Sequence, residues 1–198
     1  YAPARQWLVS NQYVVSTATI AQVLKMCPDL EFILDGTERP IRRPKNKEKQ
    51  KEYYSGKKGR HTVKNNILTE KPTKKVKVLS ATGEGKKHDK KLADEQAIPF
   101  PKGSKVWKDT GFQGCEPESV TTYQPMKKPK GKELTPEQRQ TNKELSKERI
   151  GVEHSIGGIK VFRIVHDIFR NFREGFADLV METACVLHNW RLDFRLTA

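Results

Sequence analysis

The sequence lacks the long apolar runs and paired cysteines that characterise membrane proteins and disulfide-rich secreted proteins. No segment approaches the roughly 18 to 20 apolar residues that a membrane-spanning helix needs, and the first residues do not resemble a charged-then-apolar leader. Three cysteines, Cys27, Cys115 and Cys185, are far apart and odd in number, so they suit neither a disulfide framework nor a paired zinc-ligand spacing. We therefore expect no membrane association, and reduced thiols in the cytoplasm.

Acidic residues are scarce relative to basic ones. Lys and Arg together number 38 against 24 for Asp and Glu, which gives a formal net charge of +14. Such an excess favours association with polyanions and points to nucleic acid, although enzymes and simple binding proteins share this property. The 198 residues, 35% of them hydrophobic, suffice for one ordinary domain with a modest core. Because the chain begins with Tyr1, we expect it to be a piece of a longer protein.

The order of the predicted elements indicates a mixed α/β fold. Three successive antiparallel strands are expected, followed by a short helix, a further strand and two long helices. Pro40 and Pro44 argue against helix at the start of the strongly basic stretch 39–64. The predicted elements are, in order, a helix capped by Ser16 and ending near residue 26, a strand at 30–34, a hairpin tip at 55–59, strands at 61–68 and 76–80, a short helix at 89–96, a strand at 106–108, a basic loop at 115–134, and helices from 135 to about 159 and from Phe172 to Trp190. The first long helix has a predicted apolar stripe of Leu145, Val152, Ile156 and Ile159. The second has a predicted apolar face of Phe172, Phe176, Leu179, Val180, Thr183, Val186, Leu187 and Trp190.

Acidic and basic residues stand where phosphate chemistry would need them. Asp35 and Asp109 each follow a predicted strand, and at about 100° per residue Arg149, Glu153 and Lys160 fall within about 40° of one another on the first long helix. Hard divalent cations take oxygen ligands, and two-metal phosphoryl chemistry needs several carboxylates from different elements. Strand ends beside a helix flank would supply them rigidly.

Other interpretations of these residues remain open. Arg149 and Glu153 could form an ordinary surface salt bridge at i, i+4 spacing. Asp89 is an alternative second acid, although we favour a role as helix N-cap. Gly157 and Gly158 lie between Glu153 and Lys160, where missing side chains would let a backbone or a nucleic acid approach closely.

Several segments together resemble the catalytic regions of bacterial insertion-sequence transposases, of the insertion-sequence-five-like group. Each segment alone is only suggestive, but their order and spacing form a specific pattern over about residues 30 to 195. The matching segments are LDGTERPI at 34–41, YYSGKK at 53–58 with His61-Thr62, DTGFQG at 109–114, the spaced set Arg149, Glu153 and Lys160, and the closing FRN at 169–171 and HNW at 188–190. Ser146 departs from the pattern, since many relatives have a tyrosine there.

The resemblance implies an RNase-H-like fold, with three antiparallel strands followed by a parallel strand and flanked by helices, over residues 28–198. Residues 1–27 would be the remnant of an upstream helical DNA-binding region. Asp35, Asp109 and Glu153 would form an Asp-Asp-Glu triad that binds two Mg²⁺ or Mn²⁺ ions. The residues expected to contact DNA are Arg149, Lys160, Lys57, Lys58, Arg60 and His61.

The resemblance also implies partners and a location. The expected function is metal-dependent cleavage and strand transfer on double-stranded DNA, at transposon ends and targets, by a homo-oligomer associated with the nucleoid in the bacterial cytoplasm. Two alternatives stay open: a catalytically inactive relic that only binds DNA, and an RNase-H-like nuclease that cuts without transferring strands.

Overall fold

The centre of the fold is a ten-residue strand, β1, that carries Asp35 in its middle. The structure, a computed structural model, describes residues 20–129, 131, 133–171 and 173–195, so the predicted cap Ser16 lies outside the described residues. The strands are β1 (Glu31–Pro40), β2 (Tyr54–Ser55), β3 (Arg60–Glu70), β4 (Val76–Leu79), β5 (Gly83–Glu84), β6 (Lys105–Lys108) and β7 (Thr121–Tyr123). The helices are α1 (Ile20–Lys25), α2 (Lys47–Tyr53), α3 (Asp89–Gln96), α4 (Pro136–Lys160), α5 (Arg163–His166) and α6 (Phe176–Arg195), with a short 3₁₀ helix at Thr110–Phe112.

The sheet is antiparallel on one side of β1 and parallel on the other. β3 runs antiparallel to β1, and β4 and β5 pair antiparallel with β3. On the other side β6 is parallel to β1, and β7 is parallel to β6. The prediction of a mixed α/β fold is therefore confirmed, and β1 lies between the two halves of the sheet.

Helices cover both faces of this sheet. Because side chains alternate along a strand, Phe32 and Leu34 point to one face, where they pack with α1 and α3. Ile33 points to the other face and packs against Val152 of α4. Asp35 follows the same alternation as Ile33 and therefore faces α4. Among the helices in the described part of the chain, none is long and apolar enough to span a bilayer.

A buried arginine joins the end of β1 to the start of α6. Arg39 is 1% exposed and donates to the Ala177 carbonyl at 3.1 Å, to Asn65 Oδ1 at 2.7 Å and to Thr82 Oγ1 at 3.0 Å. Burial lowers the pKa of Arg39 to about 10, while the nearby Asp178 acts in the opposite direction. These acceptors offset the cost of a buried charge, so β1 and α6 are held together at this point.

The long helix α4 begins and buries its apolar stripe as predicted. Thr135 and Gln138 form a reciprocal capping box, and Pro136 occupies the first helical turn. Val152 and Ile159 are fully buried. Because the helix is anchored along this stripe, the neighbouring flank that carries Arg149 and Glu153 has a fixed orientation relative to the sheet.

The predicted face of α6 is partly wrong. Leu187 and Trp190 are 39% and 49% exposed, and Phe172 lies outside the described residues. The small side chains of Ala184 and Cys185 are buried instead. These small side chains let α6 approach its neighbours closely. The buried face of α6 is therefore rotated by about 100° from the predicted face.

Helix α2 was not predicted. In the basic stretch 39–64, the prolines argued against helix and only a hairpin tip was expected. Asn46 caps this helix, and its side chain accepts from the backbone N–H groups of Glu48 and Lys49 at 2.8 and 3.0 Å. An N-cap asparagine before a run of lysine and glutamate is a recognisable start signal. The hairpin tip itself is confirmed as the turn between β2 and β3.

The two adjacent glycines of α4 have different surroundings. A Cβ atom at Gly158 would lie 2.4 Å from Nδ1 of His188 and 2.8 Å from Nη2 of Arg191, whereas a Cβ atom at Gly157 would meet no atom within 4 Å. The close approach predicted here therefore exists at Gly158, and the group that approaches is α6 rather than nucleic acid.

This difference makes the two glycines a matched pair for stability measurements. Gly157→Ala should raise the free energy of unfolding by up to about 1 kcal/mol, because alanine has a higher helix propensity than glycine at an exposed position. Gly158→Ala should lower it by about 1 to 3 kcal/mol, because α6 must shift. Urea unfolding of both variants checks the prediction, and equal effects would contradict the packing described.

Candidate active site

Asp35 and Asp109 lie side by side where two parallel strands adjoin. Leu34 of β1 pairs with Lys108 of β6, and each aspartate follows directly after its member of that pair. Asp35 Oδ1 accepts from the Gly36 N–H at 2.8 Å, and Asp109 Oδ1 accepts from the Thr110 N–H at 2.7 Å. The backbone therefore orients both carboxylates at the same edge of the sheet.

A single guanidinium group from α4 contacts both carboxylates. Arg149 Nη2 lies 3.4 Å from Asp35 Oδ2, and its Nη1 lies 3.3 Å from Asp109 Oδ1. The side chains of Arg149 and Asp35 are only 13% and 19% exposed, which strengthens their attraction relative to a surface pair. The alternative of an Arg149–Glu153 surface salt bridge is wrong, because Arg149 pairs with the sheet.

Three contacts fix α4 over this edge of the sheet. Val152 packs in a small core with Ile33. Lys71 pairs with Glu148 at 2.6 Å, one residue before Arg149. Ser155 donates to the Lys74 carbonyl at 2.8 Å. The helix is thus attached to the sheet before and after the position of Glu153.

Glu153 lies one turn after Arg149 on the same helix, about 6 Å further along the axis. Its side chain is exposed, and no hydrogen bond or ion pair joins it to another side chain in the described part of the chain. Among the described residues no group of three or more acidic, histidine or cysteine side chains is close enough to hold a metal ion. The structure thus brings Asp35 and Asp109 together with Arg149, and places Glu153 one helical turn beyond Arg149 without joining it to the two aspartates.

Burial dominates the electrostatics of Asp35. It raises the pKa of this carboxyl, and the nearby Asp109 and Asp89 act in the same direction. Arg149 and the Gly36 N–H lower the pKa but do not cancel the effect of burial. The ionised carboxylate is therefore disfavoured relative to one in water, and any additional cation at this position would relieve that cost.

Basic residues from two elements meet next to the aspartates. Burial lowers the pKa of Lys160, as does the neighbouring Lys58, while Glu38 and Asp35 act in the opposite direction. Lys160 at the end of α4 is thus within electrostatic range of Asp35 and of the hairpin turn that carries Lys58. Arg60 is exposed on the same hairpin. The ring centroids of its neighbour His61 and Tyr54 lie 5.6 Å apart.

Asp89 lies on the opposite face of the sheet, and its prediction as an N-cap is wrong. His88 is the N-cap of α3, and Asp89 is the first helical residue. A Cβ atom at Gly36 would lie 3.1 Å from Asp89 Cγ, and Gly36 points away from the face that Asp35 occupies. Lys64 binds Asp89 at 3.2 Å and Glu38 at 3.4 Å. This geometry favours Asp109 over Asp89 as the partner of Asp35.

Two features of this site were missed by sequence reasoning. Arg149 was predicted to contact phosphate, and its position between two aspartates was not foreseen. Lys64 was not singled out, although it lies directly opposite Glu38 in the β1–β3 register. Both features depend on contacts between residues that are far apart in the sequence, so local patterns do not reveal them.

Comparison with known proteins identifies the family of the chain. Residues 34–189 match the family described as DDE superfamily endonuclease, a match that begins one residue before Asp35 and includes Glu153. The chain belongs to this family. No solved structure matches the chain.

A curated relative narrows the kinship of this DDE superfamily endonuclease. The chain is 38% identical over 157 residues to a protein of Microchaete diplosiphon named "Probable transposase for insertion sequence element IS702". The alignment covers 78% of this chain and 55% of the relative, so the chain spans about half the length of the protein it matches. The predicted kinship with insertion-sequence DDE transposases is confirmed.

Removing the Arg149 guanidinium should make the free energy of unfolding depend more strongly on pH. Without Arg149, which lowers the pKa of Asp35, that pKa should rise further above its unfolded value. Arg149→Gln should therefore lower the free energy of unfolding by about 1 to 3 kcal/mol at pH 7, where two unpaired carboxylates face each other. The loss should shrink as the pH falls through the raised pKa and Asp35 becomes protonated.

Arg139→Gln is the matched control for this measurement. Arg139 lies on the same helix, and its exposed guanidinium pairs with Glu133 at 3.5 Å. Its loss should cost less than about 1 kcal/mol at any pH. Parallel pH profiles for the two variants in urea unfolding would show that Arg149 does not stabilise the aspartates.

Proposed function

We propose that this chain is the catalytic part of a bacterial insertion-sequence DNA transposase, which cleaves phosphodiester bonds at transposon ends and transfers the strands. The observation that carries the proposal is the convergence of Asp35 and Asp109 on a helix flank that bears Arg149 and Glu153. Membership of the DDE superfamily endonucleases and the similarity to a probable transposase support it.

The proposed fold of the catalytic part is RNase-H-like, over residues 28–198. The antiparallel strands β1, β3 and β4, followed by the parallel strands β6 and β7, support this assignment, as do helices on both faces. Residues 1–27 are proposed as the remnant of an upstream DNA-binding region. Only their last part, which includes α1, lies within the described residues.

The residues at the site fit a divalent cation. Their donors are carboxylate oxygens, which Mg²⁺ and Mn²⁺ prefer, and Arg149 shows that positive charge is stabilised between Asp35 and Asp109. Asp35, Asp109 and Glu153 are proposed to hold two Mg²⁺ or Mn²⁺ ions. When bound, the ions would activate a water or a 3′-hydroxyl and stabilise the leaving oxygen.

The remaining residues of the site are proposed to position DNA. Arg149 would contact a phosphate near the aspartates, and Lys160 would contact the next part of the backbone. The hairpin residues Lys57, Lys58, Arg60 and His61 would extend this contact. The proposed partner is double-stranded DNA at transposon ends and targets, and the proposed active form is a homo-oligomer at the nucleoid in the bacterial cytoplasm.

Cation binding can be measured without any reaction. Mn²⁺ should raise the melting temperature of the parent, because a ligand that binds only the folded state stabilises it. Asp35→Asn should abolish this increase. Arg149→Gln should enlarge it relative to Arg139→Gln, because the guanidinium no longer competes for Asp35 and Asp109. An identical Mn²⁺ effect on all four proteins would place any cation outside this site.

Cleavage tests the enzyme directly. The chain, fused to the end-binding domain of a related transposase, should cut labelled transposon-end DNA with Mg²⁺ or Mn²⁺ and stop on chelation. Asp35→Asn and Glu153→Gln should each lower the rate by at least about 1,000-fold while DNA affinity stays equal or rises, because one negative charge is removed. Asp89→Asn is the matched control and should cut at nearly the parent rate, since Asp89 lies on the other face of the sheet.

Each outcome decides between the functions considered. Cleavage by Asp35→Asn at the parent rate would exclude the proposed mechanism. Binding without cleavage by the parent would favour the inactive, DNA-binding alternative. Cleavage without strand joining would favour the simple nuclease.

A further inference from the structure

An open basic cleft lies beyond the end of β1, away from the aspartates. It has a volume of about 600 Å³, and its basic lining residues are Arg42, Arg43, Arg60, His61 and Arg170. Two backbone contacts hold its walls together: Ile41 bridges to Phe169, and the Arg42 N–H donates to the Phe169 carbonyl at 3.0 Å. The arginines are therefore brought together by the fold from three separate parts of the chain.

A second basic cleft continues from the first. Its volume is about 840 Å³, it shares Arg43 and His61 with the first cleft, and it adds Lys47 and Lys51 of α2 and Lys86. As the described residues line them, neither cleft contains an acidic side chain. We name the two clefts together the basic groove.

Within the described part of the chain, none of the cations of the basic groove forms a salt bridge with an acidic side chain. Elsewhere, Arg139 pairs with Glu133 and Arg163 pairs with Asp167. Several unpaired positive charges on one concave surface create a strong local potential, which a polyanion would relieve.

We propose that the basic groove binds the phosphate backbone of the same DNA duplex that enters the active site. Arg42 follows Asp35 by seven residues, which is about 23 Å at roughly 3.3 Å per residue of extended chain. That length corresponds to about seven base pairs of duplex. Lys160, at the end of α4, is within electrostatic range of both Asp35 and Lys58. The inference rests on the proposed function, and it assigns a contact about seven base pairs from the reacting phosphate.

The salt dependence of DNA binding tests the groove. The 198-residue chain is titrated with a fluorescent duplex of about 24 base pairs at several KCl concentrations. Each lost phosphate contact makes the slope of log binding constant against log KCl concentration less negative by about 0.9. The triple variant R42Q/R60Q/R170Q should therefore make this slope less negative by about 2.7. Adding Lys160→Gln to that variant should change the slope by about 0.9 more, because one duplex contacts both regions.

Two control proteins separate charge from fold. The variant K90Q/R139Q/R163Q removes the same charge from cations that pair with carboxylates outside the groove, and it should keep the parent slope. The variant R42K/R60K/R170K preserves charge and should also keep it. Loss of slope in the lysine variant would show that the effect is not electrostatic and would overturn the proposal.

Other results would also overturn the proposal. If R42Q/R60Q/R170Q bound DNA with the same salt dependence as the parent, the groove would not be a DNA-binding surface. Polyglutamate binding as tight as duplex binding would identify an acidic protein as the partner instead. The binding measurement requires no cleavage, so a chain that binds DNA through the groove but never cuts would contradict the proposed function alone.

Discussion

The arrangement of the site depends on placing two negative charges next to each other at the edge of a sheet. Parallel pairing of β1 and β6 brings Asp35 and Asp109 together, and burial makes the ionised form of Asp35 costly. Arg149 offsets that cost from α4, which is why the helix must lie over this edge. The same guanidinium group therefore contributes to the helix–sheet contact and to the charge balance of the two carboxylates.

Much of this arrangement was predictable from local sequence signals. A short strand ending before Asp109 and a capped helix carrying Arg149 each leave a pattern that spans only a few residues. The predicted strand end before Asp35 is wrong, because β1 continues to Pro40 in its pairing with β3. The resemblance to insertion-sequence transposases connected these patterns, and the family match confirmed that kinship. The roles of the triad residues and of the DNA-contacting residues stay predictions.

What the sequence did not reveal depends on contacts between distant residues. The buried row of α6 was misassigned because the large residues Leu187 and Trp190 outweighed Ala184, whose small size is what permits close packing. The sequence did not reveal that Asp89 packs against Gly36, because this contact depends on how α3 lies against β1. Hydrophobic periodicity identifies an amphipathic helix but does not say which neighbour it meets.

Hydrogen bonding on both sides of β1 limits how far the backbone of Asp35 can move. Asp35 and Asp109 directly follow the last paired residues of β1 and β6, so their backbones begin about one strand spacing apart, about 4.8 Å. Glu153 is attached to a helix, and its exposed side chain is free to change rotamer. In the proposed metal site, the sheet would hold the backbones of the two aspartates in place, and a change of rotamer at Glu153 would adapt the site to the radius of the ion.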